Sequence, residues 1–248
     1  MVLEIRNLDL HFGALHVTRD INLTLPRGAR HALIGPNGAG KTTLVNLLTG
    51  QLKPDSGKIL LDDKEITRLP PHQRARRGLG RTYQINALFR SMTPVEAVSL
   101  AIAQRDGNAL RVFGTAALGR RTGEEARELL QAVGLGQYMN HITRELPYGV
   151  QRLLEVALAL AGKPKVLLLD EPAAGVSTQA GDQLFRLIDS LPSDLAILLI
   201  EHDMRLVFRF AKRITVLVGG GVLVEGTPEE IGADQRVRDV YLGHKHAA

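Results

Sequence analysis

His31-Ala-Leu-Ile34, Gly35-Pro36-Asn37-Gly38-Ala39-Gly40-Lys41-Thr42-Thr43 and Leu44-Val-Asn-Leu-Leu48 follow one another without a break, and the fold turns on how they are read. His31 to Ile34 is a short apolar strand ending at Gly35. Leucines at 44, 47 and 48 mark one face of a helix over Thr42–Leu48. Between them lies the pattern G-x-x-x-x-G-K-[ST], in the strand–loop–helix setting that gives it meaning. Glycines let backbone N–H groups turn inward around phosphate oxygens. The helix N-terminus adds partial positive charge and Lys41 a full one. The Thr42 hydroxyl is placed to ligate Mg²⁺. The plainer reading, an ordinary Gly-rich turn, is disfavoured by that setting.

A phosphate cradle does not fix the reaction. Val166-Leu-Leu-Leu-Asp170-Glu171-Pro172 narrows it. A buried strand delivers two adjacent carboxylates at its end, where the chain turns, so that both can serve one site. Asp170 is expected to hold Mg²⁺, directly or through water, and Glu171 to orient and polarise an attacking water. Phosphoryl transfer needs such positioning and charge neutralisation more than covalent help. A solvated acidic turn is the bland alternative. His202, in Glu201-His202-Asp203 after another apolar strand, stands where it can donate a hydrogen bond to a γ-phosphate; a lone histidine at a strand end is more often structural.

Working outward, Val2–Asn7 and Ile21–Leu25 alternate as half-buried strands do. Gly57–Leu61 is another strand, followed by the Asp62-Asp63 turn. Val166–Leu169, Leu195–Ile200 and Ile214–Val218 are continuous apolar runs, expected of strands buried on both faces. The middle is helical: Pro94–Ala103, then Thr122-Gly-Glu-Glu125 as a capping box opening Ala126–Val133, then Gly149–Ala161. The expected organisation is an α/β nucleotide-binding core in residues 1–84 and 162–243, a helical insertion over 85–161, and a short tail, 244–248.

Composition agrees with one such domain. The 248 residues are 44% hydrophobic and 23% charged, enough to bury a core. With no cysteine, disulfides, thiolate zinc sites and cysteine nucleophiles are excluded. Apolar runs such as Leu195–Ile200 fall far short of the roughly 20 residues a bilayer span needs. The first residues, Met-Val-Leu-Glu-Ile-Arg-Asn, meet a charge too early for a secretory leader. A cytoplasmic protein, peripheral on the inner membrane face if it serves a membrane process, is expected. The net charge is +5, and Arg74, Arg76, Arg77, Arg81 and Arg90 form one basic stretch. Nucleic acid, an anionic membrane face or a merely solvated surface would each account for it. The stretch lacks the repeated aromatics of a single-strand platform.

These pieces, in this order, resemble the ATP-binding subunits of ABC transporters over nearly the whole chain, Val2 to about Gly243. More narrowly they resemble the branched-chain amino acid importer type. The stretches that carry this are Gly35-PNGAGKTTL-Val45, Arg81-TYQINALFRSMT-Pro94, Leu146-PYGVQRLLEVA-Leu158, Glu171-PAAG-Val176, Glu201-HDMRLV-Phe208, Val224-EGTPEE-Ile231 and Val240-Tyr-Leu-Gly243. The resemblance implies a P-loop NTPase fold of ABC type: a RecA-like core, an N-terminal antiparallel β subdomain and an inserted helical subdomain. It implies ATP and Mg²⁺ as ligands, with Gly35, Pro36, Asn37, Gly38, Ala39, Gly40, Lys41, Thr42 and Thr43 around the phosphates. Phe12 would stack on adenine, a core phenylalanine being the alternative. Gln84 would reach Mg²⁺ or the attacking water and report nucleotide state to a permease. Ile85, Leu88, Phe89 and Met92 would line a groove for the permease, or belong to the core. Tyr148 and Gly149, at the signature position, would face ATP on a second subunit. Here the sequence departs from the family: Pro147 and Val150 replace the usual serine and glutamine, and Ser177 stands where Asp or Asn is common.

The partners implied are a second ATP-binding subunit, similar but distinct or a second copy, two membrane permeases and, indirectly, an extracytoplasmic substrate-binding protein. Nucleic acid is not expected. Export of a lipid or glycolipid is the alternative cargo. A soluble ABC ATPase acting on DNA or ribosomes would be expected to carry coiled-coil insertions or two cassettes.

Overall fold

A computed structural model describes residues 1–82, 89–107 and 116–242. The chain divides into two compact units. One holds Met1–Leu79, Lys165–Glu171 and the chain from Pro192 onward; the other holds Gly80–Pro164 and Pro172–Leu191.

In the first unit, β1 (Leu3–Phe12), β2 (Leu15–Leu25), β4 (Ser56–Leu61) and β5 (Lys64–Glu65) form an antiparallel sheet in the order β2-β1-β4-β5. Leu3 and Ile5, then Leu8 and Leu10 of β1 are buried; each pair has the period of two of a strand with one covered face, and the irregular register between Ile5 and Leu8 shifts the alternation by one residue. The second sheet contains β3 (Arg30–Ile34), β6 (Leu79–Arg81), β7 (Val166–Asp170), β8 (Ala196–Ile200), β9 (Arg213–Val218) and β10 (Gly221–Gly226), in the order β10-β9-β3-β8-β7-β6. β9, β3, β8 and β7 run parallel and β10 is antiparallel to β9. Val166–Leu169 and Ala196–Leu199 are all fully buried, as continuous apolar runs in a two-sided parallel sheet must be. Helix α1 (Lys41–Thr49) contributes Leu44, Val45, Leu47 and Leu48 to one cluster with Ile5, Ile21, Ile59, Leu33, Val166 and Leu198. Both sheets therefore share a core with the helix that opens after Gly40.

Arg74, read as part of a basic stretch, is not on a basic surface. It lies in the short helix α2 (Pro71–Arg76) and is 1% exposed. Its guanidinium donates to the carbonyls of Leu47 (2.6 Å), Leu48 (2.7 Å), Thr67 (2.6 Å) and Leu69 (2.9 Å). The first two are carbonyls of the last turn of α1, where Leu47 also accepts from the Gly50 amide (3.2 Å). The guanidinium thus closes the C-terminus of the helix that carries the P-loop lysine at its other end. Burial pushes its pKa down to about 10. Arg74→Met should destabilise the chain by about 3 kcal/mol or more, because several buried carbonyls lose a charged donor at once. Denaturant unfolding measures it; a loss below about 1 kcal/mol would show that water replaces the guanidinium freely.

In the second unit, α3 (Pro94–Arg105) begins as its sequence indicates. Thr93 accepts from the Glu96 amide, Glu96 returns the bond to the Thr93 amide, and Pro94 takes the first helical position. Three further helices follow: α4 (Ala116–Ala132), α5 (Tyr148–Ala161) and α6 (Thr178–Ser190). The capping box expected at Thr122–Glu125 is not one. Helix α4 starts six residues earlier, at Ala116, and Thr122 is buried in its interior. Glu125 instead accepts from Nη1 and Nη2 of Arg105 (2.8 and 3.0 Å) and pairs with the Lys163 ammonium (2.9 Å). These cations hold its carboxyl down at about 2. A tertiary ion cluster has outcompeted a local capping pattern. The segment carrying α6 clusters with these helices rather than with the first unit, whereas the sequence reading assigns all of 162–243 to the core.

Among the described residues no helix is long and apolar enough to cross a membrane. In the remainder of the chain α7 (Met204–Phe210), α8 (Pro228–Ala233) and α9 (Gln235–Leu242) complete the first unit.

Candidate functional site

The sheet order puts β8 between β3 and β7, and the pairing makes their ends flush. Leu33 lies opposite Ile200, and Ile200 opposite Asp170. Three segments singled out in the sequence therefore leave one edge of one sheet: the glycine loop after β3, Asp170-Glu171 at the end of β7, and His202 just past β8. With strands about 4.8 Å apart, the loop and the acidic pair are about 10 Å apart at the sheet. Ligands of open parallel sheets bind outside the carboxyl ends of the strands.

The loop's glycines are required by its geometry. Gly40, which caps α1, has φ of 100°, a conformation that L side chains rarely adopt. Gly35 is packed so that a Cβ would stand 2.3 Å from the Leu217 carbonyl oxygen, so no larger residue fits there. Gly35 and Ala39 are buried, while Asn37, Gly38 and Thr42 are exposed. Lys41 Nζ donates to the carbonyls of Gly35 (2.6 Å) and Pro36 (3.0 Å), which fixes the ammonium over the loop. Burial lowers its pKa, and the carboxylates of Glu171 and Asp170 pull the other way. Both carboxylates thus lie close enough to act on Lys41.

Glu171 has φ of +46°, uncommon for a residue with a side chain, and its amide donates to the Ile200 carbonyl (2.9 Å). That left-handed turn redirects the chain immediately after Asp170, so that neighbouring residues of a strand can both face one site. Backbone strain of this kind costs on the order of 1–3 kcal/mol and is found at functional positions. His202 Nδ1 is 3.6 Å from Glu171 Oε1 and 3.8 Å from Glu201 Oε2, and its side chain is 64% exposed. Glu201 is buried and accepts from the His202 amide (3.1 Å), so the backbone beneath the imidazole is held while the ring is free to meet solvent or ligand. Among the described residues no group of three or more His, Asp or Glu side chains converges as a metal cage. Mg²⁺ does not need one, since it binds through one or two protein oxygens plus phosphate and water. The Thr42 hydroxyl and the Asp170 carboxylate fit that donor set.

Residues 18–174 match the family model described as ABC transporter, and residues 222–247 match the model described as branched-chain amino acid ATP-binding cassette transporter. The chain belongs to the ABC transporter family. This cassette is 42% identical to the high-affinity branched-chain amino acid transport ATP-binding protein BraF of Pseudomonas aeruginosa, over 98% of each chain. It is 41% identical, with the same coverage, to the corresponding protein LivG of Escherichia coli. Its structure resembles the crystal structure of a nucleotide-free ATP-binding cassette from an ABC transporter, with a TM-score of 0.85, 27% identity, and coverage of 97% of this chain and 98% of that one. The cassette is an ATP-binding, ATP-hydrolysing subunit of ABC type.

The remaining expected residues distribute as follows. Phe12 ends β1, opposite Leu15 across the hairpin; they are 50% and 64% exposed. That exposure sets aside the alternative of a core phenylalanine at Phe12. Thr43 is half-buried in the first turn of α1. Tyr148 opens α5 and is 44% exposed. Pro147 precedes it without a side-chain cap. Gly149 has a packing reason of its own: a Cβ there would lie 2.8 Å from the Ala180 Cβ. Ser177 caps α6, accepting from the Ala180 amide (3.3 Å). Phe89 is 47% exposed and Met92 half-buried. Gln84, Ile85 and Leu88 lie outside the described residues.

Two side chains inside the quoted stretches have no role assigned from the sequence. The Tyr241 hydroxyl of α9 is buried with no hydrogen-bond partner among the described residues, and burial pushes the phenol up to about 12. Arg152 of α5 is the other. Neither stands in a pattern with an intrinsic chemical meaning; only the tertiary contacts distinguish them.

Proposed function

We propose that this cassette binds MgATP at the edge formed by β3, β8 and β7, and that its hydrolysis drives import of branched-chain amino acids or related small polar solutes. The observation that carries the nucleotide reading is the Lys41 ammonium fixed over a glycine loop with the Asp170 and Glu171 carboxylates acting on it. Gly35–Thr43 cradle the triphosphate through backbone N–H groups, and Lys41 neutralises its outer charge. Thr42 and Asp170 hold Mg²⁺, with Gln84 as a further contact; when bound, the ion neutralises charge on the phosphate oxygens. Glu171 orients the attacking water and accepts its proton. His202 donates to the transferring phosphoryl group, and Phe12 stacks on the base.

Tyr148 and Gly149 serve a second cassette's nucleotide, so two cassettes close around ATP and part after hydrolysis. This closure is a two-state element biased by nucleotide. The assembly contains a second ATP-binding subunit, two transmembrane permeases and, outside the membrane, a substrate-binding protein. The cassette sits on the inner face of the membrane through the permeases. The cargo reading is supported by the names of the relatives and by the match at 222–247. That carboxy-terminal match is described for branched-chain amino acid cassettes, which leaves lipid export with less support.

Purification of the tagged cassette from its native membrane tests the assembly. The expected result is recovery with two multi-span permeases and an ATPase that an extracytoplasmic binding protein loaded with leucine, isoleucine or valine stimulates. Recovery with permeases whose ATPase answers to lipid and not to these amino acids would overturn the cargo.

A further inference from the structure

Tyr148, Arg152 and Glu155 are spaced along one face of α5, so their side chains meet. Arg152 Nη1 donates to Glu155 Oε2 at 2.9 Å, and the two side chains are 11% and 3% exposed. Its Nη2 donates to Tyr148 Oη (3.0 Å) and, more loosely, to the Ala174 carbonyl (3.4 Å). The Tyr148 hydroxyl donates to that same carbonyl (3.3 Å). The guanidinium carbon lies 5.3 Å from the centroid of the Tyr148 ring, within cation–π range. On the other side, Gly175 is so close that a Cβ would stand 3.2 Å from Tyr148 Oη. The backbone three and four residues past Glu171 is thus held against the first turns of α5 by converging polar groups.

This hold is not explained as a stabiliser. Arg152 Nε and Glu155 Oε1 are buried with no hydrogen-bond partner among the described residues. Burial raises the Glu155 carboxyl to about 7 against the opposing pull of Arg152. A buried ion pair left incompletely satisfied contributes little net stability compared with an apolar pair of similar volume. What it supplies is direction: a planar fork that reaches Glu155, Tyr148 and Ala174 together. Pro147 offers neither a hydroxyl nor an N–H at the start of this helix, so ordering of the turn falls to side chains further along.

We propose that Arg152, aligned by Glu155, is a positioning residue that ties the Ala174–Gly175 backbone to the head of α5, so that both are presented to a neighbouring cassette as one piece. The proposal rests on the reading that two cassettes close around MgATP. Arg152 acts through Tyr148 and Ala174 on the surface offered to the partner.

The test uses the full-length cassette, alone and assembled with its permeases. Arg152→Met should lower kcat for ATP hydrolysis by the assembly about tenfold, with KM for ATP nearly unchanged, and leave MgATP affinity of the isolated cassette at the wild-type value. Arg152→Lys can meet Glu155 but cannot span Tyr148 and Ala174 as well. It should melt like wild type yet keep the low kcat. Wild-type kcat in Arg152→Met, or full recovery in Arg152→Lys, would overturn the proposal, the latter by reducing the role to that of a charge pair. Absence of MgATP binding by the unsubstituted cassette would instead bring down the nucleotide reading, and the proposal with it, before any Arg152 variant is made.

Discussion

Glu171→Gln should keep MgATP binding and lose at least about a hundredfold in hydrolysis rate, the amount that a positioned general base contributes. The substitution is nearly isosteric, and the Glu171 side chain is 46% exposed, so little packing is at stake. The amide oxygen can still accept a hydrogen bond from water but cannot take its proton. The backbone at φ +46° and the amide bond to Ile200 do not depend on the carboxylate. The closed pair of cassettes, formed by ATP and released by hydrolysis, should therefore accumulate. Single-turnover hydrolysis and gel filtration with ATP measure both effects. Normal turnover would remove Glu171 from the role of base, and the strained turn at this position would then lack a chemical reason.

Lys41→Ala should weaken MgATP binding by on the order of a hundredfold. A charge-assisted hydrogen bond contributes roughly 1.5–3 kcal/mol, and 1.4 kcal/mol is tenfold in affinity. The sign is not obvious, because Asp170 and Glu171 place negative charge near an anionic ligand, and Lys41 is the cation acting against it. Its removal takes away the attraction and exposes the phosphates to uncompensated repulsion. The same ammonium bridges the carbonyls of Gly35 and Pro36, so thermal melting should accompany the binding measurement. Unchanged affinity would contradict the cradle.

Much of this site is legible in the sequence because its three parts follow apolar runs that end abruptly, at Ile34, Leu169 and Ile200. Those runs are buried on both faces, and the chemistry begins where burial ends. Their side-by-side order is not legible. It depends on parallel pairing between segments more than a hundred residues apart, as in Leu33 with Ile200, and local patterning carries no register for that. At Glu171 the sequence shows only that the chain changes direction; the left-handed backbone that makes the turn comes from the tertiary setting. Thr122 and Glu125 imitate a helix start because a capping box is a four-residue pattern, while what sets Glu125 is Arg105, twenty positions away. Arg74 reads as one more solvated arginine, and only the carbonyls brought around it, at the end of α1 and at Thr67 and Leu69, give it a buried role. Arg152 is hidden for the same reason: its meaning lies in the Ala174 carbonyl, 22 residues on.

Titration calorimetry of the purified cassette with ATP, with and without Mg²⁺, tests the central claim most directly, alongside Asp170→Ala. Saturable heat with one nucleotide per chain, strengthened by Mg²⁺ in the wild type but not in Asp170→Ala, is the predicted result. No heat of binding with MgATP, or a Mg²⁺ effect that survives loss of Asp170 unchanged, would contradict it.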